Sequence, residues 1–207
     1  MQKLAKDSGK PIVTCIEGVK KIPLEDEEGG TVNDPHAWFD PKNAWKYVQN
    51  ITDAVIKLDP DNKSEYVARA RLYSTQLKSL DGWIRETVNV IPEGRRVLIT
   101  HHDAFGYFCK AYNFKAESPV GWSTAELAGM TLDKKNELIQ KIKSQNVKSI
   151  FVETSVSDET LKDIAKEAGI KIGGNLYSDA MGPENTAGET YIGMMRENVV
   201  TIVEALK

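Results

Sequence analysis

Val97-Leu-Ile-Thr-His101-His102-Asp103 sets four mostly apolar, partly β-branched residues directly before two imidazoles and a carboxylate. Ala104, Phe105, Phe108 and Tyr112 then recur at helical spacing. The pattern predicts a buried strand, a sharp corner and a helix, with the His-His-Asp cluster at the corner. In an open parallel α/β sheet, that corner at the carboxyl end of a strand is where ligands bind. A lone histidine at a loop is more often a surface polar residue. Here two of the three histidines are neighbours, and further metal-ligand types end other apolar runs: Glu153 after Ser149-Ile-Phe-Val, and Asp179 after the segment 170–177. His36 stands in a turn bracketed by Pro35 and Pro41. Adjacent residues on a strand or helix point in different directions, so one of His101 and His102 enters a shared site. Two histidines and a carboxylate from separate segments make a partial nitrogen and oxygen site suited to Zn²⁺, or to Mn²⁺ if the carboxylate binds through both oxygens.

The elements that would carry these residues are legible as hydrophobic periodicity. Residues 11–16 suggest a strand, and residues 19–33 a loop whose acidic run is solvated. Pro35 and Pro41 each force an extended residue before them. Asp40 and Pro41 form an N-cap and first turn for a helix over 41–58, with Ala44, Tyr47, Val48, Ile51, Val55 and Leu58 on one face. Pro60 ends it. A second helix over 61–90 would be about 45 Å long, more than one small domain needs, and could bridge two lobes. From Pro92 the chain alternates: strand 97–100, helix to 112, strand 114–120, helix 132–144, strand 149–153, helix 158–168 with Gly169 as its stop, strand 170–177, loop 178–188 and helix 189–206. That alternation predicts an α/β fold, a parallel doubly wound sheet with helices on both faces and right-handed crossovers. Met194 and Met195 read as core filling.

The 207 residues are 41% apolar and 28% charged with a formal net charge of −3, an ordinary globular mix. No basic stripe alternating with aromatics points to nucleic acid. No run of about 18 apolar residues would span a membrane. The opening, Met1 to Lys10, carries no signal-peptide pattern and reads as the end of a helix stopped at Gly9, as in a chain cut from something longer. Cys15 and Cys109 match no metal or redox spacing.

Four motifs, Asp34-Pro-His36-Ala-Trp-Phe-Asp-Pro41, Thr100-His-His102-Asp-Ala-Phe-Gly-Tyr-Phe108, Phe151-Val-Glu-Thr-Ser155 and Tyr177-Ser-Asp179-Ala-Met-Gly182, resemble the metal-binding proteins of zinc and manganese ABC importers. Gly121-Trp-Ser-Thr-Ala-Glu126 and Thr190-Tyr-Ile-Gly-Met194 bring the likeness nearest the TroA type. The resemblance spans essentially the whole chain. It implies two α/β lobes joined by one long helix with the metal between them, and a binding protein rather than an enzyme. The expected cargo is Zn²⁺ or Mn²⁺ and the partner a membrane ABC permease. The expected location is extracytoplasmic, either periplasmic or lipid-anchored on the outer face of the cell membrane. Of the four ligands usual in the family, three map to His36, His102 and Asp179. His102 is preferred over His101 because it directly precedes Asp-Ala-Phe-Gly-Tyr-Phe. The first ligand would lie upstream of His36, where residues 1–33 hold no histidine. The resemblance therefore assigns 1–60 to a remnant of the N-terminal lobe, 61–91 to the linker helix and 92–207 to the C-terminal lobe. Glu153 would hold a ligand by hydrogen bond, or else cap its strand-to-helix turn. The competing interpretations are a zinc hydrolase using Glu153 or Asp103 as base, which lacks an H-E-x-x-H motif, and a metal-free interaction module built on the long helix.

Overall fold

Two parallel ladders carry the second half of the chain: β3 (Val97–Ile99) pairs with β4 (Lys115–Glu117), and β5 (Ser149–Glu153) with β6 (Lys171–Leu176). The computed structural model describes residues 4, 7–25, 30–118, 131–145, 147–155 and 157–207. Strands β3 and β5 lie side by side, and every residue of both is buried. Their side chains alternate between two cores, as the pleat requires. Leu98 and Phe151 belong to a large core with helices α2 (Lys63–Val88), α3 (Gly106–Tyr112) and α6 (Tyr191–Leu206). Val97, Ile99, Ile150 and Val152 face the other way, into a smaller core with α4 (Leu132–Ser144) and α5 (Glu159–Ala168). Strands buried on both faces read as continuous apolar runs, which is how 97–100 and 149–153 stood out in the sequence. The chain thus has the α/β architecture expected of it, parallel strands with helices on both faces.

Helix α1 (Pro41–Leu58) starts where Asp40 caps it, the Asp40 carboxylate accepting from the Lys42 N–H at 2.9 Å. A 3-10 turn, Pro60–Asn62, separates it from α2. The two helices pack against each other, and α2 then continues against α3 and α6. Its first half leaves Val67 and Leu72 exposed, while in its second half Leu77 is buried and Leu80, Ile84 and Val88 enter the large core. Trp45, Ile51 and Leu58 of α1 are exposed as well.

Near the C-terminus, α6 presses on β6. A Cβ at Gly173 would lie 2.7 Å from the Phe151 ring and 2.8 Å from Ala205 Cβ, and one at Gly174 would lie 2.5 Å from Thr201 Cγ2. The pairing register slips at this point, so that Ile150 faces Ile172 but Phe151 faces Gly174. The two glycines let the helix approach a bulged strand that any side chain would hold away.

Two expectations fail in the first third. Residues 11–16 form no strand. They run unpaired among the described residues into a turn at 15–18, and Ile12 and Val13 stay largely exposed, so nothing rewards extension there. The segment 19–33 is not only loop: β1 (Pro23–Glu25) and β2 (Thr31–Asn33) form an antiparallel pair that sets half-buried Leu24 opposite Val32. The strand expected over 114–120 is shorter, at Lys115–Glu117, with 119 and 120 outside the described residues. The motif Gly121-Trp-Ser-Thr-Ala-Glu126 also lies outside them. The last helix begins at Tyr191, after a 3-10 turn at Ala187–Glu189.

Candidate metal centre

The carboxyl ends of β3, β5 and β6 come together with the turn that follows β2. Asp34 holds one of the three histidines in this region, and Glu153 contacts the other two through different atoms.

His36 lies at the mouth of the 3-10 turn Ala37–Phe39 and is buried. Asp34, two residues earlier, turns its carboxylate back on the chain. Its Oδ1 accepts from the His36 backbone N–H at 2.8 Å and sits 2.8 Å from His36 Nδ1. A carboxylate can only accept, so Nδ1 carries the proton and the Nε2 lone pair is left to point elsewhere. It points towards Asp179, whose Oδ1 is 3.5 Å away. Asp34 itself is buried, and its other oxygen lies against Gly106: a Cβ added there would come within 2.7 Å of Asp34 Oδ2. The glycine of the Asp-Ala-Phe-Gly-Tyr-Phe motif thus makes room for the carboxylate that orients His36. The Tyr191 hydroxyl, reaching over from the first turn of α6, donates to the Trp38 carbonyl at 2.7 Å and ties this turn to the C-terminal helix.

His102 is fully buried. Its carbonyl is pinned by the Thr100 hydroxyl at 2.9 Å and the Ala104 N–H at 2.8 Å. Its Nδ1 lies 2.9 Å from Glu153 Oε2, a close ion pair in which the ring N–H is not squarely aimed at the oxygen. Its Nε2 has no hydrogen-bond partner and lies 3.6 Å from Asp179 Oδ2. Burial alone would lower the His102 pKa, but the Glu153 carboxylate overrides it and holds the imidazole above its ordinary value. The converse holds for Glu153: burial would raise its pKa, and His102, helped by Ser178, keeps it below the usual carboxylate range.

His101 does different work. Glu153 donates its backbone N–H to His101 Nδ1 at 3.0 Å, and His101 Nε2 donates to the Ser157 carbonyl at 2.9 Å. Its own backbone N–H donates to Glu153 Oε1 at 2.8 Å. Both ring nitrogens are used, one as acceptor and one as donor, which fixes a neutral imidazole. Burial pushes its pKa down accordingly. The ring stitches the end of β3 to the end of β5.

Asp179 differs from both imidazoles in standing at the surface, with its side chain 41% exposed. One candidate ligand atom each from His36, His102 and Asp179 lies within 4.8 Å of the others. The His36 and His102 rings meet edge to face, centroids 5.1 Å apart. Two buried Nε2 atoms and a carboxylate brought this close together offer the nitrogen and oxygen donors a divalent transition metal takes, with a carboxylate behind each ring. A shallow cavity of about 230 Å³ lies beside Asp179, lined in part by Trp38, Met181 and Met194.

Asp34 and Gly106 lie directly behind the candidate site and were given no role in the sequence reading. Asp34 carried a usable signal, because an Asp before a Pro commonly accepts from the backbone two residues on. Asp103, offered as a general base, instead accepts from the Ser118 hydroxyl at 2.6 Å, and Glu153 is occupied by His102 and two backbone amides.

Fold and site together define an α/β protein whose strand ends gather two oriented imidazoles and a carboxylate at a solvent-facing edge. The family described as zinc-uptake complex component A, periplasmic, matches residues 1–205. The manganese-binding lipoprotein MntA of Halalkalibacterium halodurans is 35% identical over 208 residues, covering 100% of this chain and 67% of that protein. The zinc-binding protein TroA of Treponema pallidum is 39% identical over 193 residues, 90% of this chain and 60% of that protein. The solved structure of periplasmic TroA superposes with a TM-score of 0.88 at 34% identity, covering 99% of this chain and 75% of that one. The chain belongs to this family of substrate-binding proteins of metal ABC transporters, not to the zinc hydrolases. It spans about two thirds of the length of the curated relatives it matches. No helix among the described residues is long and apolar enough to cross a membrane.

Proposed function

We propose that this chain captures a divalent transition metal ion, Zn²⁺ or Mn²⁺, outside the cytoplasm and delivers it to a membrane ABC permease. His36 Nε2, His102 Nε2 and a carboxylate oxygen of Asp179 are the ligands. The observation that carries this is the buried, unpartnered Nε2 of His102, aimed at the same point as the oriented Nε2 of His36 and the carboxylate of Asp179. A buried polar atom without a partner costs free energy unless something binds it. Three protein atoms leave at least one position of a tetrahedral ion for water or another group. The extracytoplasmic location and the permease partner rest on family membership and on relatives named as periplasmic proteins and transporter lipoproteins. Residues 1–60 and 92–207 would then serve as parts of two lobes, with 61–91 as the helix between them.

Calorimetric titration with Zn²⁺ and Mn²⁺ tests the proposal. The wild-type chain should bind one ion, and His36→Ala, His102→Ala and Asp179→Ala should each weaken binding by more than the about 10–100-fold typical of losing an outer partner of a metal ligand. Binding that survives all three substitutions would end the assignment.

A further inference from the structure

Asp34 and Glu153 stand behind His36 and His102, but among the described residues no carboxylate stands behind Asp179. Its own carboxylate is exposed and lies 3.5 Å from His36 Nε2 and 3.6 Å from His102 Nε2. Its position must therefore be set through its backbone, in the segment that leaves β6. The ladder between β5 and β6 ends at Glu153 opposite Leu176, with the Thr154 N–H donating to the Leu176 carbonyl at 3.0 Å. Tyr177, the next residue, has no strand to pair with. Asn198 takes the strand's place: the Tyr177 N–H donates to Asn198 Oδ1 at 2.8 Å, and Asn198 Nδ2 donates to the Tyr177 carbonyl at 2.8 Å. A backbone N–H can only donate and a carbonyl can only accept, so the orientation of this amide is fixed by its partners.

Asn198 is 2% exposed and sits on the apolar face of α6 between Met194, Met195, Val199 and Ile202, all buried. An unpaired amide there would be costly. The pair of bonds to Tyr177 satisfies it and locks the chain two residues before Asp179. Ser178 continues the anchoring, its hydroxyl 3.2 Å from that of Ser155. The loop then closes on itself, with the Gly182 N–H donating to the Gly188 carbonyl at 2.8 Å.

We infer that Asn198 is the positioning residue for the metal-binding carboxylate of Asp179, doing through the Tyr177 backbone what Asp34 and Glu153 do directly for the two histidines. The inference rests on Asp179 being a ligand, as proposed above. With the clamp removed, the carboxylate samples positions away from the two Nε2 atoms, and the ion loses its one anionic donor for part of the time.

The test is a double-mutant cycle read by Zn²⁺ titration, using the wild-type chain, Asn198→Leu, Asp179→Ala and the pair, with circular dichroism and thermal melting recorded for each. Leu fills the volume but can neither donate nor accept. Asn198→Leu should weaken Zn²⁺ binding by about 10–100-fold, the usual effect of losing an outer partner of a metal ligand. In the Asp179→Ala background the same substitution should change affinity within about twofold. Should Asn198→Leu not fold, Asn198→Ser, too short to reach both backbone groups, runs through the same cycle. An equal loss in both backgrounds, or no loss in the Asp179 background of the wild type, would overturn the positioning role while leaving the ligand assignment intact. If Asp179→Ala binds Zn²⁺ like wild type, the ligand assignment itself fails and the inference falls with it.

Discussion

His101→Ala and His102→Ala remove the same side chain from adjacent positions and should do opposite things. His101 is 1% exposed and uses both ring nitrogens within the fold. Truncating it leaves the buried Glu153 N–H without an acceptor, worth about 1–3 kcal/mol, and removes a hydrogen bond to the Ser157 carbonyl, worth about 0.5–1.5 kcal/mol. The space left by the ring adds a cavity cost. The two hydrogen-bond effects alone sum to about 1.5–4.5 kcal/mol, a large share of the about 5–15 kcal/mol that stabilises an ordinary domain. At this chain length each kcal/mol corresponds to about 2–4 °C, so the melting temperature of the metal-free protein should fall by about 3–18 °C from these alone, and further for the cavity. Where the variant remains folded, its Zn²⁺ affinity should stay near that of wild type, because neither nitrogen of His101 faces the site. His102→Ala should lose binding instead. Thermal melts of the metal-free proteins and Zn²⁺ titration well below the transition measure both quantities. A His101→Ala protein that melts like wild type and no longer binds metal would refute the division of roles between the two histidines.

Metal affinity should fall as the pH drops from 8 to 5, because metal and proton compete for the imidazole; below the raised pKa of His102 the loss from this residue alone approaches about tenfold per pH unit, and flat titrations over that range would exclude histidine ligands. Gly106→Ala should weaken metal binding, since the added Cβ would stand 2.7 Å from Asp34 Oδ2 and displace the carboxylate that orients His36; an unchanged Zn²⁺ isotherm would show that Asp34 tolerates the shift. Tyr191→Phe should cost about 0.5–1.5 kcal/mol of stability by denaturant unfolding, the net worth of its hydrogen bond to the Trp38 carbonyl, and no loss would mean that water replaces the hydroxyl at no cost.

What the sequence disclosed follows from what leaves a periodic trace. Strands β3 and β5 are buried on both faces and appear as unbroken apolar runs, so the positions of His101, His102 and Glu153 at their ends could be read directly. Helices α1, α4 and α6 carry apolar positions at helical spacing, and Asp40, Thr131 and Thr190 cap them as their side-chain chemistry dictates. The antiparallel pair of β1 and β2 left no such trace, because three-residue strands are too short for alternation to show. Residues 11–16 misled for the opposite reason: the β-branched composition is present, but no described strand lies beside it. Choosing His102 over His101 took a motif, since two adjacent histidines have no periodicity. The physical reason for the choice, two backbone groups 52 and 56 residues away consuming both nitrogens of His101, exists only in three dimensions. The same is true of Asn198, which the sequence shows as a polar residue inside an apolar helix pattern and nothing more.

Electrostatics favour a doubly charged ion over a singly charged one at the proposed site. Asp34 and Glu153 are buried carboxyl groups set behind the two imidazoles, and Asp179 brings a third in front of them. Buried carboxylates are costly to desolvate, and an imidazole that is neutral repays little of that cost. The Glu153 carboxylate beside His102 favours the protonated imidazole, raising the pKa of His102 and lowering that of Glu153. At the proposed site a dication would compete with a proton for His102, with Asp34 and Glu153 acting through the rings they touch and Asp179 as a direct donor. A potassium or sodium ion has half the charge and little affinity for imidazole nitrogen, and would leave the carboxylates undercompensated. On the proposed ligand set, the polar groups that are costly to bury without a cation are the ones that would favour a divalent transition metal. Asp179 is the exposed member of that set, while His36 and His102 are buried.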